Sequence, residues 1–131
     1  MKSDSNITIK EVISSDELKK FVMFPHTLYK DSKYWVAPII KEELEVLNKE
    51  TNPVFNNAIA HYFLAYIDGE IVGRIAALIN WIEVKDLKKK KVRFGWFDFI
   101  DDQNVSKALL DKVIEIGKKN KLEFIEGPVG F

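Results

Sequence analysis

Residues 62–79 read YFLAYIDGEIVGRIAALI, and this stretch decides the fold. Two runs rich in aromatic and β-branched residues lie on either side of Asp68-Gly69. An Asp-Gly pair suits a two-residue type I′ turn, because both central residues of that turn need positive φ. The stretch therefore predicts a β-hairpin whose two antiparallel strands are Tyr62–Ile67 and Glu70–Ile79.

The residues before the hairpin predict one strand and two helices. Residues 7–12 (ITIKEV) alternate apolar and polar side chains, as a half-buried strand does. Ser14 and the acidic residues after it are typical of a helix start, and Pro25 predicts that this helix ends or kinks at Phe24. A short polar helix is expected at about residues 39–48.

The residues after the hairpin predict a strand, a helix and a last strand. Residues 92–100 (VRFGWFDFI) form a strand that is apolar on both sides, as strands covered on both faces are. Strict alternation places its large side chains on two faces. These are Phe94, Trp96 and Ile100 on one face, and Phe97 and Phe99 on the other.

An amphipathic helix is expected from Val105 to about Asn120, because its apolar residues recur at helical spacing. Residues 122–125 then begin a last strand that Gly127-Pro128 ends. A strand that returns after a crossover helix lies parallel to its predecessor. The fold class is therefore α+β, with a mostly antiparallel mixed sheet flanked by helices.

Composition bounds the function. Lysine plus arginine (20) equals aspartate plus glutamate (20), so no overall field attracts nucleic acid or an acidic membrane. The chain has no cysteine, which excludes disulfides and cysteine nucleophiles. The amino terminus lacks an apolar signal core, and the apolar-rich run at 59–67 is shorter than the about 20 residues that cross a bilayer. We expect a cytoplasmic protein with neither nucleic acid nor membrane as partner.

Two further features favour ordinary structural roles. The charge run Lys85–Lys91 predicts a solvated loop, since no aromatic residues interleave with it as in a nucleic-acid site. His26 and His61 have no partner at metal-ligand spacing, so we predict no metal site.

The stretch FIDDQNVSKAL at 99–109 joins the strand to the helix and allows two interpretations. A helix amino terminus presents unpaired N–H groups and partial positive charge, which together can bind a phosphate. Ser106 and Ala108 are small enough for a close approach. Asp101 and Asp102 oppose this interpretation, because a carboxylate there caps the helix and repels an anion. Spacing alone favours the capped helix.

The order of elements, the hairpin AYIDGEIVGRIAAL and the strand–turn–helix resemble the GCN5-related N-acetyltransferase (GNAT) family of acyl-CoA transferases. The phosphate loop of that family reads Gln/Arg-x-x-Gly-x-Gly/Ala. This chain has Gln103-x-x-Ser106-x-Ala108, in which Gln103 and Ala108 match and Ser106 departs from glycine. The segments FVMFPHTLYKDSKYWVAPI and NPVFNNA are similar to those of a little-characterised bacterial group.

The resemblance implies a transferase that carries an acetyl or other acyl group from acetyl-CoA, or another acyl-CoA, to a small-molecule or peptide amine. In the family, amides of the loop bind the pyrophosphate of coenzyme A and the preceding strand pairs with the pantetheine arm. The resemblance, together with the order of elements, favours a phosphate site over a simple helix cap at residues 99–109. The implied cofactor-binding residues are Phe99, Ile100, Gln103, Asn104, Val105, Ser106, Lys107 and Ala108.

The resemblance covers residues 1–131 as a single GNAT-like domain, but the family fold continues with two further strands and a helix. We therefore expect a fold truncated after its fifth strand and incomplete at the C-terminal end, either as a fragment or with a partner that supplies the missing side. An exposed last strand invites pairing with a second copy. Two alternatives remain beside the enzyme: a non-catalytic regulatory or interaction module, and an oligomerisation module.

Acyl transfer to an amine needs a base, and two carboxylates are candidates. Asp98 lies between two phenylalanines on the aromatic strand, where burial would suit it to proton transfer; alternatively it faces the sheet edge or pairs with Arg93 or Arg74. Glu126, at the end of the last strand, is the second candidate. Tyr34 and Trp35 lie in an aromatic loop. Their side chains are expected either to form a small core beneath this loop or to line an acceptor site.

Overall fold

A computed structural model describes residues 6–129 of the chain. Its helices and strands follow the predicted order. They are β1 (Ile7–Glu11), α1 (Ser15–Leu28), α2 (Ile40–Leu47), β2 (Ala58–Ile67), β3 (Glu70–Asn80), β4 (Lys91–Phe99), α3 (Gln103–Lys119) and β5 (Phe124–Glu126). A 3₁₀ turn at Pro53–Asn56 precedes β2, and a π-helical turn at Ile82–Asp86 precedes β4.

The strands form one five-stranded sheet in the order β1-β2-β3-β4-β5. The pairs β1–β2, β2–β3 and β3–β4 are antiparallel, whereas β5 pairs parallel with β4. At the hairpin turn Asp68 has φ 51° and Gly69 has φ 82°, which is the positive-φ pair that the Asp-Gly sequence predicts. The α+β class, the hairpin and the parallel last strand are confirmed.

Each face of the sheet carries its own hydrophobic core. On one face α1 and α2 cover β2 and β3, with Phe21, Leu47 and Tyr62 almost fully buried. On the other face α3 packs across the sheet and buries Val105 and Leu109 with their neighbours on its apolar stripe. Because both faces are covered, the middle strand β3 is buried along most of its length.

The sequence predicted that the helix ends or kinks at Phe24; α1 continues through Pro25 to Leu28, so an end at Phe24 is wrong. Proline lacks an N–H and leaves the carbonyl four residues earlier without its helical donor. That carbonyl belongs to Phe21, and Nη1 of Arg74 on β3 donates to it at 2.8 Å. A side chain from the sheet thus supplies the missing donor, which local sequence could not reveal.

β4 contains a bulge at Trp96, whose φ is 46°. Ala76 of β3 lies opposite Gly95 while Arg74 lies opposite Asp98, so one residue of β3 faces two of β4. The extra residue reverses the alternation. The prediction from strict alternation was therefore wrong: Trp96 packs on the α1/α2 face, whereas Phe94, Phe97, Phe99 and Ile100 all pack on the α3 face.

The edges of the sheet agree with two further expectations. Of the charge run Lys85–Lys91, residues 87–90 form the predicted exposed loop, whereas Lys85 and Asp86 end the π-helical turn and Lys91 begins β4. β5 is an edge strand whose Phe124 and Ile125 are exposed. Within residues 6–129, no helix combines the length and the apolar character needed to cross a membrane.

Candidate functional site

A cleft opens where β5 diverges from β4. The parallel ladder covers only Lys91–Arg93 and Phe124–Glu126. The chain then turns away, with one further hydrogen bond from the N–H of Val129 to the carbonyl of Phe94 at 2.9 Å. The cleft that results has a volume of about 280 Å³ and is lined by Gly95, Trp96, Pro128 and Val129.

Glycine is required at one wall of this cleft. A Cβ on Gly95 would collide with the carbonyl oxygen of Val129, so any other residue would push the segment after β5 away from β4. The opposite wall is fixed by the bulge residue Trp96, whose Nε1 donates to Oε1 of Glu43 on α2 at 3.0 Å. The bulge and the glycine together define the shape of the cleft.

Asp98 follows the bulge and takes part in a polar network beneath α1. Nε and Nη2 of Arg74 both lie 2.9 Å from Oδ2, and the hydroxyl of Tyr29 donates to Oδ1 at 2.8 Å. Burial lowers the pKa of Arg74, and Asp98 opposes that shift. Burial, and then the hydrogen bond to Asp98, raise the pKa of Tyr29 to about 12.

The pairing of Asp98 with Arg74 is one of the alternatives that the sequence left open, and it is confirmed. Both carboxylate oxygens are occupied, so this side chain joins β4 to β3 and to the end of α1. A role for Asp98 in proton transfer stays a prediction. Sequence reasoning named Arg74 as a possible partner of Asp98 but missed Tyr29 and the bond from Arg74 to the Phe21 carbonyl.

Glu126 lies on β5 beside two cations of β4. Its Oε1 accepts a hydrogen bond from Nζ of Lys91 at 2.9 Å and lies 3.7 Å from Nε of Arg93. The hydrogen bond from Lys91 is the main cause of a lowered pKa of Glu126. A lowered pKa makes the carboxylate a weaker base, and its catalytic role also stays a prediction.

The two candidate carboxylates are not brought together. Glu126 pairs in register with Arg93, whereas Asp98 lies five positions further along β4 (98 − 93 = 5). At about 3.3 Å per residue this corresponds to roughly 16 Å along the strand. One acceptor site of ordinary size could use one of them as base, but not both.

The amino terminus of α3 is capped by Asp102, as the spacing predicted. Oδ1 of Asp102 accepts from the N–H of Asn104 at 2.9 Å, and its carbonyl accepts from the N–H groups of Val105 at 3.1 Å and Ser106 at 3.3 Å. The Ser106 hydroxyl donates to the carbonyl of Gln103 at 3.0 Å. The segment that the resemblance assigns to a phosphate therefore lies within the helix. One of its amides, that of Asn104, already donates to the Asp102 carboxylate.

The remaining residues of the predicted cofactor site surround this helix start. Phe99 and Ile100 end β4 and pack against α3, with the N–H of Ile100 bonded to the carbonyl of Val72 at 2.9 Å. Lys107 is exposed and pairs with Asp111 at 2.8 Å, while Ala108 is half-buried. The structure thus gathers the whole predicted set at one end of β4.

Several solved structures with this architecture are acetyltransferases. A predicted acetyltransferase with acetyl-CoA from Clostridium acetobutylicum matches 95% of this chain and 81% of its own, with a TM-score of 0.67 and 14% identity. An aminoglycoside acetyltransferase from an uncultured soil metagenomic sample matches 98% and 81%, with a TM-score of 0.64 and 15% identity. The fold is that of the GNAT acetyltransferases. A GNAT-family acetyltransferase from Staphylococcus aureus matches 92% of this chain and 72% of its own, with a TM-score of 0.60 and 17% identity.

Two curated proteins are similar to this GNAT-like chain in sequence. Protein YghO of Escherichia coli is 32% identical over 120 residues, which are 92% of this chain and 30% of that protein. Bacterial ceramide synthase of Caulobacter vibrioides is 33% identical over 108 residues, 82% of this chain and 28% of that protein. The chain thus spans under a third of the length of either relative. No protein-family model matches it.

Proposed function

We propose that this chain is the acyl-CoA-binding part of an N-acyltransferase, which transfers an acetyl or longer acyl group from coenzyme A to an amine. The observation that carries the proposal is the cleft lined by Gly95 and Trp96. Both residues belong to β4, the strand that leads into α3. In a GNAT-like fold this arrangement supplies a slot for the acyl arm and a helix terminus for the phosphates.

Acyl transfer requires the amine nitrogen to attack the thioester carbonyl, after which the thiolate leaves and the amine gives up a proton. We propose that Glu126 or Asp98 accepts the amine proton through a water molecule. Glu126 is half exposed and is held by Lys91 through one oxygen, Oε1, whereas both oxygens of Asp98 already bind Arg74 or Tyr29. The geometry therefore favours Glu126 as acceptor and leaves Asp98 to hold the bulged strand in place.

The phosphate site is proposed at the segment from Gln103 to Ala108, with Phe99 and Ile100 beside the pantetheine arm. The terminus of α3 suits an anion through its dipole and through the nearby cation of Lys107. The carboxylate of Asp102 is the competing ligand, because it already accepts from an amide that a phosphate would use.

Acetyl-CoA is expected to raise the thermal unfolding midpoint. At about 100 times its dissociation constant a ligand stabilises by roughly 2.7 kcal/mol, which is several degrees for a domain of this size. Ala108→Glu and Lys107→Glu both place negative charge at the proposed phosphate site and should remove the shift. Lys107 is well exposed, so its variant carries little risk to folding.

The matched control is Lys119→Glu, the same charge reversal at the far end of α3, which should leave the ligand shift intact. Differential scanning fluorimetry at millimolar acetyl-CoA measures all four proteins. Absence of a shift in the parent chain would contradict the cofactor proposal and favour the non-catalytic module.

Asp102→Asn is expected to strengthen coenzyme A binding several-fold. Asparagine caps helices as well as aspartate does, so the Asn104 N–H keeps an acceptor while the negative charge is removed. One unit charge a few ångströms from a phosphate is worth about 1 kcal/mol or more even in high dielectric. Isothermal titration against acetyl-CoA measures the change, and weaker binding by the variant would place the phosphates elsewhere.

A long-chain amine is the acceptor class that we propose. The relative named bacterial ceramide synthase supports it, because a ceramide is the N-acyl derivative of a long-chain amino alcohol. The test is acyl transfer from acetyl-CoA and from a long-chain acyl-CoA to sphinganine, with a short diamine for comparison. Preference for the short amine would contradict this choice of acceptor.

Dimerisation through β5 is also a proposal. The strand is at the sheet edge and its Phe124 and Ile125 are exposed, which suits strand pairing with a second copy. Sedimentation velocity over a range of concentrations tests it, and a monomer at all concentrations would contradict it.

A further inference from the structure

A cluster of four charged side chains joins β4, β5 and the π-helical turn between β3 and β4. It contains two cations of β4, Lys91 and Arg93, and two carboxylates, Glu83 of the turn and Glu126 of β5. Each carboxylate lies beside both cations. The side chains of Glu83, Lys91 and Arg93 are 13%, 15% and 26% exposed, whereas that of Glu126 is 48% exposed. Glu126 is therefore the most accessible member of the cluster.

The turn that carries Glu83 is anchored at both its polar and its apolar side. Oδ1 of Asn80, the last residue of β3, accepts from the N–H groups of Ile82 at 2.9 Å and of Glu83 at 3.3 Å. Val84, the next residue, packs in the core on the α3 face of the sheet. Single π-helical turns are rare and often occur at functional sites. The Glu83 carboxylate thus reaches the cations of β4 from a well-held backbone.

Glu83 holds Arg93 by one end of its guanidinium. Oε2 of Glu83 accepts from Nη2 of Arg93 and lies 3.8 Å from Nζ of Lys91. Nε of Arg93 is buried and donates no hydrogen bond within residues 6–129. It lies 3.7 Å from Oε1 of Glu126, beyond the roughly 3.2 Å limit of a good N–H···O bond. Arg93 is thus one short movement away from a hydrogen bond to Glu126.

The charges that act on Glu126 are mostly positive. The hydrogen bond from Lys91 is the main cause of its lowered pKa, and the nearby cations lower that pKa further; they are Lys91, Arg93 and Lys89. α3 also packs against β5, but Lys118 and Lys119 near its end form no ion pair with Glu126 in the described part of the chain. Glu83 supplies negative charge on the other side of the two β4 cations.

We propose that Glu83 is a positioning residue for Glu126: it retains Arg93 and shares Lys91, and so preserves the proton affinity that a general base needs. The part of Glu126 in acyl transfer rests on the function proposed above, whereas the effect of Glu83 on its protonation does not. Without Glu83, Arg93 would complete its hydrogen bond to Glu126, and the carboxylate would bind a proton less readily.

Carbon-13 NMR of the side-chain carboxylates tests the proposal on the free chain, with Glu126→Gln identifying the Glu126 signal. Glu83→Gln should lower the midpoint of the Glu126 titration by roughly half a pH unit, because one negative charge is lost beside its cations. Arg93→Gln should move the midpoint in the opposite direction. The matched control is Glu115→Gln on α3, which removes a carboxylate that pairs with Lys112 at 3.2 Å and should leave the midpoint unchanged.

Acyl transfer gives the second readout. A general base acts when it is deprotonated, so the rate rises as the pH passes the pKa of Glu126. Glu83→Gln should move that rise to lower pH and reduce the plateau rate, because the base is weaker. KM for acetyl-CoA should not change, since the cluster lies at the start of β4 and the proposed cofactor residues begin at its end.

Three outcomes would overturn the proposal. They are a Glu126 midpoint that Glu83→Gln leaves unchanged or raises, an equal change in the Glu115→Gln control, and an unchanged pH–rate profile in an active Glu83→Gln protein. A shifted midpoint in a chain that transfers no acyl group would support the effect of Glu83 on Glu126 and contradict the acyltransferase function. The two failures are distinguishable because the titration contains no substrate.

Discussion

Replacing Arg74 by methionine is expected to lower the free energy of unfolding by about 3–5 kcal/mol. Arg74 is 5% exposed, and its guanidinium binds the Asp98 carboxylate and the carbonyl of Phe21. It also lies over the Phe21 ring, 5.0 Å from its centroid. Methionine fills most of the volume but leaves the proline-orphaned carbonyl without a donor, and it leaves the largely buried Asp98 carboxylate with the Tyr29 hydroxyl alone and no countercharge.

Urea unfolding followed by circular dichroism measures the loss. The control is Lys107→Met, which removes a surface ion pair of 2.8 Å, nearly the length of the Arg74 pair, and should change stability by no more than about 0.5 kcal/mol. Adding Asp98→Asn to Arg74→Met should recover part of the loss, because it removes the uncompensated charge. A loss below about 1 kcal/mol for Arg74→Met would mean that α1 does not depend on this contact.

Leu109→Ala is expected to cost about 2–5 kcal/mol. Leu109 is fully buried in the middle of the α3 stripe, where four residues recur at every fourth position. The stripe lies so close to the sheet that a Cβ on Gly73 would come within 2.8 Å of Cδ1 of Leu109. A packing of this closeness cannot collapse around the missing atoms, so the cavity term adds to the transfer term.

The control for Leu109→Ala is Ile114→Ala on the same helix. Ile114 is 37% exposed, so its truncation removes less buried area than that of the fully buried Leu109 and gains helix propensity. Its expected loss is about 1 kcal/mol or less, well below that of Leu109→Ala. Equal losses in the two variants would show that α3 is weakened through helix propensity and not through its packing on β3.

Much of the candidate site was predictable because it depends on neighbours in sequence. The Asp-Gly turn, the cap at Asp102 and the apolar spacing of α3 each involve residues within a few positions of one another. Physical preferences at this range act in the same way in almost any context. The resemblance to GNAT enzymes predicted the overall fold, and the solved structures that match this chain share that fold.

The face on which Asp98 lies was not predictable from alternation. A strand alternates strictly only until a bulge, and the bulge at Trp96 moves every later side chain of β4 to the opposite face. Gly95 inside VRFGWFDFI indicates a bulge or a close backbone approach, but it does not identify Trp96 as the extra residue. The bulge depends on the pairing with β3 and on the packing of helices from both faces.

By itself the sequence determined the order of elements, the hairpin, the capped α3 and the positions that could carry chemistry. Only the tertiary structure decided that α1 passes through Pro25, that Asp98 binds Arg74, and that β4 and β5 part beside Gly95. The contacts that hold α1 and Asp98 in place join residues 24, 53 and 69 positions apart. Such contacts form only after the chain has folded, because a buried donor or acceptor takes whichever partner the packing brings within reach.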